Sequence, residues 1–190
     1  GWSGLQGWRV RTNRIYRCAA LEREDRADVM RLFRGAASKT ELDLRTPEKV
    51  APLKGVSPIG ARYVNMSAPA YEGVFTVEGR AWFARAFRLF LDERNYPIAF
   101  HCAKGADRTG TLAFLLNGLL GVEEDDLSKD WEASVFSDNG MKFTSDRIKG
   151  LISYLNTLPG ATMKERCESY AKSCGITSEE IAAFRAIMLE

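Results

Sequence analysis

The sequence predicts an α/β fold, and two features of its pattern indicate it. Up to residue 120, short runs typical of strands alternate with longer amphipathic runs typical of helices. Residues 97–102 form an apolar run directly before a helical pattern, as expected of a parallel strand that helices cover on both faces. A chain of 190 residues is the right size for one domain, so we expect a single domain over residues 1–190.

The amino-terminal part is predicted to contain a hairpin and then a helix. Thr12-Asn13 separates two strand-like stretches, residues 8–10 and 15–17, and this pattern is typical of a hairpin. Residues 22–34 carry apolar side chains among charges and are followed by Gly35, which favours an amphipathic helix that ends at a glycine.

The middle of the chain is predicted to alternate between strands and helices. Residues 40–44 and 61–66 are short strand patterns bounded by turn residues. Residues 77–94 repeat large apolar side chains every three or four positions, which predicts a helix with a buried stripe. The strand at 97–102 and a helix at 108–120 follow.

The carboxyl-terminal part is predicted to be helical. Helical patterns cover residues 123–135, 141–158, 162–173 and 178–189. Two of these helices have the spacing of a capping box at their start, Thr162 with Glu165 and Thr177 with Glu180.

Charge and hydropathy exclude several classes of partner. The formal net charge is +2 and the basic residues are spread along the chain, so we expect no nucleic-acid partner. The longest apolar stretch, residues 111–122, is shorter than the roughly 18 residues that a membrane-spanning helix needs, so we expect no transmembrane segment. The chain starts at Gly1 rather than Met, which indicates a trimmed amino terminus.

The cysteine pattern argues against metal and disulfide frameworks. The four cysteines include no Cys-x-x-Cys pair and no cluster with zinc-ligand spacing, so we expect neither metal nor cofactor. If one helix carries Cys167 and Cys174, their separation is too long for a disulfide. Reduced thiols favour a cytoplasmic location, while the trimmed start leaves a secreted or periplasmic one open.

The segment most suggestive of chemistry is residues 101–110, which read HCAKGADRTG between a predicted strand and a predicted helix. Cys102 is followed six positions later by Arg108, whereas the other three cysteines have Glu or Ser at that offset. The glycine in the middle of the loop and the Thr-Gly pair at the helix start add to the signal.

Each residue type in this loop suits phosphate chemistry. A thiol is mostly protonated near neutral pH, but inward-facing amides, a helix amino terminus and an adjacent arginine stabilise a thiolate nucleophile at Cys102. The planar guanidinium of Arg108 matches two phosphate oxygens. We expect the loop between them to bind phosphate, sulfate or vanadate. Its predicted substrate-binding residues are Ala103, Lys104, Gly105, Ala106 and Thr109.

Two neighbouring residues are given supporting roles. His101 is the only histidine, so no second histidine can serve as the general base of a Cys-His pair, and a papain-like hydrolase is excluded. We expect His101 to hydrogen-bond the backbone near Cys102. Thr109 is predicted either to donate its hydroxyl to the Cys102 sulfur or to cap the helix.

These residues resemble the Cys-x5-Arg protein tyrosine phosphatases, and within them the bacterial tyrosine/lipid phosphatase branch. The resemblance covers nearly the whole chain and includes Asp107 before the arginine, the stretch 43–48, residues 15–17 and residues 130–132 with the following Phe136-Ser137. It implies a three-layer fold with a short, mostly parallel central sheet flanked by helices. It also implies metal-independent hydrolysis through a phosphocysteine.

The sequence departs from that family at two places. Many members carry an acidic aspartate on a mobile loop after the strand at 61–66, but residues 67–72 here contain none. Asp107 therefore becomes the first candidate for the general acid, as its resemblance to Asp-Arg loops of lipid phosphatases suggests, and Glu72 the second. The amino terminus also lacks the Asn-x-Arg-Asp element of the branch.

Asp43 and Arg45 are predicted to form a structural ion pair behind the loop.

The sequence thus predicts phosphomonoester hydrolysis, with phosphotyrosine peptides as the leading substrate. Phosphoinositides or inositol phosphates are the alternative, favoured by Lys104 and by the Asp107-Arg108 pair. A phosphate-binding module without activity is a third reading, against which the intact Cys102 and Arg108 argue. A rhodanese-like sulfur transferase fits the arginine at the helix start less well.

Overall fold

A parallel sheet forms the centre of the molecule in the computed structural model, which describes residues 3–4, 7–22, 31, 35, 37–133 and 146–190. Within these residues, four strands pair in the order β1-β4-β2-β3, and every pairing is parallel. The strands are β1 (Ile15–Ala19), β2 (Thr40–Asp43), β3 (Arg62–Asn65) and β4 (Ile98–Cys102). The predicted α/β fold class is confirmed, and β4 lies at the middle of the sheet.

The helices of the described residues follow the predicted order, apart from a short first helix that the sequence pattern does not predict. They are α1 (Pro47–Val50), α2 (Val77–Leu89), α3 (Asp107–Leu119), α4 (Glu124–Glu132), α5 (Asp146–Leu155), α6 (Met163–Ser173) and α7 (Ser178–Met188). Both predicted capping boxes are present, at the starts of α6 and α7. Among the described residues, none of the helices combines the length and the apolar character that crossing a membrane would require.

The predicted hairpin is wrong. β1 does not pair with residues 8–10; it runs parallel to β4, with Ile15 opposite Ile98, and Val10 instead bridges to Leu189. The turn signal itself is real, because Asn13 adopts the left-handed conformation with φ 59°. Pairing with β4 packs Ile15 against the main core, which a two-stranded ribbon could not do.

The helix predicted over 77–94 is too long at its carboxyl end. The helix expected over 77–94 ends at Leu89, because the side chain of Asp92 accepts a hydrogen bond from the Arg94 amide and starts a separate 3₁₀ turn, Glu93–Asn95. Most of the helix expected over 22–34 lies outside the described residues, as do positions 134–145.

The two faces of the sheet are unequal, because side chains alternate along each strand. Ile98, Phe100 and Leu42 face the main hydrophobic core, which includes residues of α2, α3, α6 and α7. Ala99 faces a much smaller cluster with Leu21 and Ile59. Three buried polar side chains of β2 and β4 alternate with the core-facing ones and lie behind the loop that follows β4: Glu41, Asp43 and His101. All four cysteines lie in the described residues and are free.

Candidate active site

A pocket opens where β4 ends and α3 begins. β4 ends at Cys102 and α3 begins at Asp107, so the four intervening residues form a tight connection at the carboxyl edge of the sheet. This is where ligands bind in open parallel sheets. The pocket is lined by Ala70, Tyr71, Cys102, Ala103, Lys104, Asp107 and Arg108.

Five of the predicted loop residues line this pocket, and three do not. Cys102, Ala103, Lys104, Asp107 and Arg108 line it. Three predicted substrate-binding residues are buried and contribute no lining surface: Gly105, Ala106 and Thr109. Any contact of theirs with an anion would be made through the backbone.

Thr109 does neither of the two things predicted for its side chain. Its hydroxyl is fully buried and has no hydrogen-bond partner among the residues that the structure describes, so it does not reach the Cys102 sulfur. The helix cap is Ala106, three residues earlier, because α3 begins at Asp107 rather than after Thr109.

The loop is shaped by its contact with the end of β1. Gly105 adopts the left-handed conformation with φ 72°, and a Cβ at this position would lie 2.4 Å from the carbonyl oxygen of Cys18. The amide of Ala20 donates to the carbonyl of Ala103 at 3.2 Å. The loop therefore lies directly against the β1 backbone, and only glycine fits at its bend.

Arg17 ties this loop to α4. Its guanidinium donates to Asp130 Oδ2 at 2.6 Å and to the Gly105 carbonyl oxygen at 3.2 Å. Both side chains are largely buried, with 19% and 17% of their surface exposed, so the ion pair is shielded from solvent. β1, the loop and α4 are thereby joined through one side chain.

His101 lies behind the loop and contacts it as predicted. Its Nδ1 is 3.3 Å from the Cys102 carbonyl oxygen, and its Nε2 is 2.8 Å from Glu41 Oε1. The Glu41 carboxylate also accepts a hydrogen bond from the hydroxyl of Ser57. Glu41 therefore fixes the imidazole that supports the backbone at Cys102.

The predicted ion pair of Asp43 and Arg45 is present in the same buried layer, away from the pocket. Arg45 Nη2 is 2.6 Å from Asp43 Oδ2, and Arg45 also pairs with Glu22. Burial disfavours the charged form of Asp43, but the hydrogen bonds from Arg45 outweigh it, so the pKa of Asp43 lies below its usual value. The hydroxyl of Tyr63 donates to Asp43 at 2.9 Å. Burial raises the pKa of Tyr63, and this hydrogen bond raises it further.

Within the described residues, this layer also contains side chains of the types that bind metal ions. Glu41, Asp43 and His101 each offer a ligand atom, all within 4.8 Å of one another. Those atoms are already engaged, since His101 bonds Glu41 and Asp43 bonds Arg45. The guanidinium beside Asp43 also opposes a second cation. The geometry favours a hydrogen-bonded support over a metal centre.

Asp107 and Glu72, the two candidate acids, lie in different places. Asp107 lines the pocket at the first position of α3, and its Oδ1 accepts a hydrogen bond from the hydroxyl of Tyr71. Glu72 is exposed and does not line the pocket, and its carboxylate lies against Gly150 of α5. The geometry therefore favours Asp107 over Glu72.

Sequence reasoning missed several residues that shape the site. Tyr71 and Ala70 form one wall, Trp131 packs against Tyr71 with ring centroids 5.6 Å apart, and Glu41 holds His101. Arg17 and Trp131 lay inside the stretches that carried the family resemblance, so a signal existed for them. No local signal predicted the position of Tyr71, because its left-handed backbone, with φ 53°, depends on contacts with residues distant in sequence.

These features define a class of protein. It is an α/β protein in which an inner strand presents a cysteine to a pocket, and the following helix presents an aspartate and an arginine to the same pocket. Comparison with known families gives the same result. The chain matches the tyrosine phosphatase family over residues 1–190 and belongs to it.

Individual relatives are more distant. A protein of Cupriavidus necator named "Putative tyrosine-protein phosphatase" is 29% identical over 155 residues, which cover 67% of this chain and 55% of that protein. The chain thus spans about half the length of this relative. A crystal structure of the core catalytic domain of PP-IP phosphatase SIW14 from S. cerevisiae in complex with citrate is 20% identical, with a TM-score of 0.49, over 84% of this chain and 98% of that chain. At that distance the likeness carries no conclusion about substrate.

Proposed function

We propose that this protein is a cysteine-dependent phosphatase that hydrolyses phosphomonoesters, with phosphotyrosine peptides as its substrate class. The observation that carries the proposal is the convergence of Cys102, Asp107 and Arg108 on one pocket at the amino terminus of α3. Membership in the tyrosine phosphatase family supports it. The positive end of the helix dipole favours an anion at this position.

The proposed reaction has two steps. The Cys102 thiolate attacks phosphorus, the bond from phosphorus to the ester oxygen breaks, and Asp107 gives its proton to the departing oxygen. Water then attacks the phosphocysteine, Asp107 takes a proton from that water, and Cys102 leaves as the thiolate. Arg108 binds two of the non-bridging oxygens in both steps, because its fork matches their spacing.

A second candidate substrate class is favoured by Lys104. Its side chain is exposed and lines the same pocket as Arg108, so a ligand with more than one phosphate could contact both cations. Phosphoinositides and inositol phosphates have this chemistry. We rank them second because a single phosphate suffices to occupy Cys102 and Arg108.

A substrate panel tests the proposal. Phosphotyrosine peptide, phosphoserine peptide, phosphoinositides and inositol hexakisphosphate are compared without added metal, with Cys102→Ser as the control. We expect phosphotyrosine peptide to turn over fastest, and Cys102→Ser to retain substrate binding while losing at least about 99% of the turnover. Residual activity above about one per cent would rule out the covalent step. Preference for the inositol phosphates would replace the substrate class and keep the mechanism.

A further inference from the structure

The turn after β3 brings an aromatic side chain into the pocket at the place where many relatives are expected to carry a mobile aspartate. Tyr71 starts the 3₁₀ turn Tyr71–Phe75 and lines the pocket beside Ala70. The residue adopts a left-handed backbone with φ 53°, which is uncommon for a bulky side chain. Such a conformation persists only where surrounding contacts hold it.

Three contacts hold Tyr71 against the first turn of α3 and against α4. Its amide donates to Thr111 Oγ1 at 3.0 Å, and the Thr111 hydroxyl donates to the Asp107 carbonyl at 2.8 Å. Its phenol hydroxyl donates to Asp107 Oδ1. Its ring lies against Trp131, with the ring planes tilted by 58°. Backbone, hydroxyl and ring are therefore each engaged.

We propose that Tyr71 is the positioning residue for Asp107 and the aromatic wall of the substrate pocket. The phenol holds the carboxylate through Oδ1 and so keeps the Asp107 side chain in one orientation at the pocket. The turn at Tyr71 thereby supports Asp107, a general acid that lies close to Cys102 in sequence. In many relatives, a mobile loop at the place of this turn is expected to supply the acid instead. The inference rests on the proposed function, because it takes Asp107 to be the general acid.

The two roles depend on different parts of the side chain. The hydroxyl positions Asp107, so its removal affects proton transfer to the leaving oxygen. Tyr71 lines the pocket, so removal of its ring affects the contact with an aryl group on the substrate. Tyr71→Phe removes only the first, and Tyr71→Leu removes both.

The test measures kcat and KM for a series of aryl phosphates of decreasing phenol acidity, together with one alkyl phosphate. Tyr71→Phe should lower kcat by about 10-fold or more on the alkyl phosphate and by less than about 2-fold on the most acidic phenol, which leaves without protonation. Its KM should stay within about 2-fold of wild type. Tyr71→Leu should in addition raise KM for phosphotyrosine peptide. Tyr16→Phe serves as the matched control, because it removes a hydroxyl bonded to Asn13 and neither residue lines the pocket.

The double variant Tyr71→Phe/Asp107→Asn separates positioning from a structural role. If Tyr71 acts through Asp107, the double variant should be no slower than Asp107→Asn alone. Additive losses, or equal losses by Tyr71→Phe on all esters, would overturn the inference. If the loss caused by Asp107→Asn depends on the acidity of the leaving group while the loss caused by Tyr71→Phe does not, only the role of Tyr71 fails. Equal losses by Asp107→Asn on every ester would overturn its assignment as the acid as well.

Discussion

At the residue scale, the cysteines lie in different surroundings. Cys102 lines the pocket at the end of β4, whereas Cys167 is buried in α6 and packs against Gly118. Burial raises the pKa of Cys167 to about 12, so this thiol stays protonated and unreactive near neutral pH. Burial also raises the pKa of Cys174. Cys167 and Cys174 should therefore be less reactive than the thiol in the pocket.

This difference predicts selective oxidation. Limiting peroxide should oxidise Cys102 before any other cysteine, reversibly by thiols, and bound vanadate or phosphate should protect it. Mass spectrometry of differentially alkylated protein measures the order of modification. Cys102→Ser is the control, in which the first oxidation should disappear. Oxidation of Cys18 or Cys167 first would contradict the assignment of the reactive thiol.

A second residue-scale prediction concerns Asp107. If Asp107 is the general acid, Asp107→Asn should slow hydrolysis of phosphotyrosine peptide by on the order of 10²–10⁴ and remove the alkaline limb of the pH–rate profile. The loss should shrink on an aryl phosphate whose phenol is very acidic and stay large on alkyl phosphates. An equal loss on both would mean that Asp107 only shapes the loop. Glu72→Gln is the comparison, and its turnover should stay near wild type because its carboxylate lies outside the pocket.

At the scale of elements, the loop from β4 to α3 is held by its neighbours on both sides. β1 contacts it through backbone atoms, and Arg17 of β1 links it to Asp130 of α4. Trp131 of α4 packs against the helix that follows the loop, where a Cβ on Gly110 would lie. The anion site thus depends on elements that are distant in sequence. Changes in β1 or α4 should be detectable as changes in anion affinity.

Gly105→Ala should disable the loop. The new Cβ would collide with the backbone of Cys18, which cannot move without displacing β1, and alanine disfavours the left-handed φ of 72°. We expect loss of vanadate binding and a fall in turnover of at least about 100-fold. Titration of intrinsic fluorescence with vanadate, beside steady-state kinetics, measures both. Gly55→Ala, also at a positive φ of 71° but with open space around it, is the matched control and should keep both properties.

Arg17→Gln tests the tie between β1, the loop and α4. Glutamine cannot bridge Asp130 and the Gly105 carbonyl at once, so the loop should lose its fixed position while the sheet remains paired. We expect vanadate affinity to weaken by on the order of 10-fold. The control is Arg94→Gln, which removes an exposed pair with Asp92. Unchanged affinity in Arg17→Gln would show that the loop holds its shape without the tie.

At the scale of the whole molecule, the sheet has an apolar face and a face with buried charges. Arg45 forms ion pairs with both Asp43 and Glu22. Burial disfavours the charged forms of these carboxyls, but the hydrogen bonds from Arg45 outweigh it. The pKa of each carboxyl therefore lies below its usual value. When the pKa of a carboxyl is lower in the folded chain than in the unfolded chain, the carboxyl gives its full stabilisation at pH values above the unfolded pKa. That stabilisation is lost as the pH falls through the folded pKa.

The free energy of unfolding should therefore fall as the pH drops below about 4, the unfolded pKa of these carboxyls. Glu22→Gln removes one contribution, so its stability should depend less steeply on pH in this range. Urea unfolding between pH 6 and pH 3 measures the slope. Glu78→Gln, at an exposed position in the first turn of α2, is the control. Equal slopes in wild type and Glu22→Gln would contradict the role assigned to the Arg45 pairs.

The sequence by itself determined the fold class and the loop. The apolar run before Cys102, the glycine and arginine after it, and the helix pattern beyond are local signals, and each depends only on neighbouring residues. For the same reason the capping boxes at Thr162 and Thr177 were predicted correctly. The ion pair of Asp43 and Arg45 was also within reach, because the two residues are close in sequence.

Only the tertiary structure decided which partners distant residues take. The hairpin prediction failed because β1 gains more buried apolar contact beside β4 than beside residues 8–10. Glu41 reaches His101, Arg17 reaches Gly105, and Tyr71 reaches Asp107 across separations of 60, 88 and 36 residues, which no local pattern encodes. Strand register and helix packing set these contacts, and both result from burial summed over the whole chain rather than from the preference of any one segment.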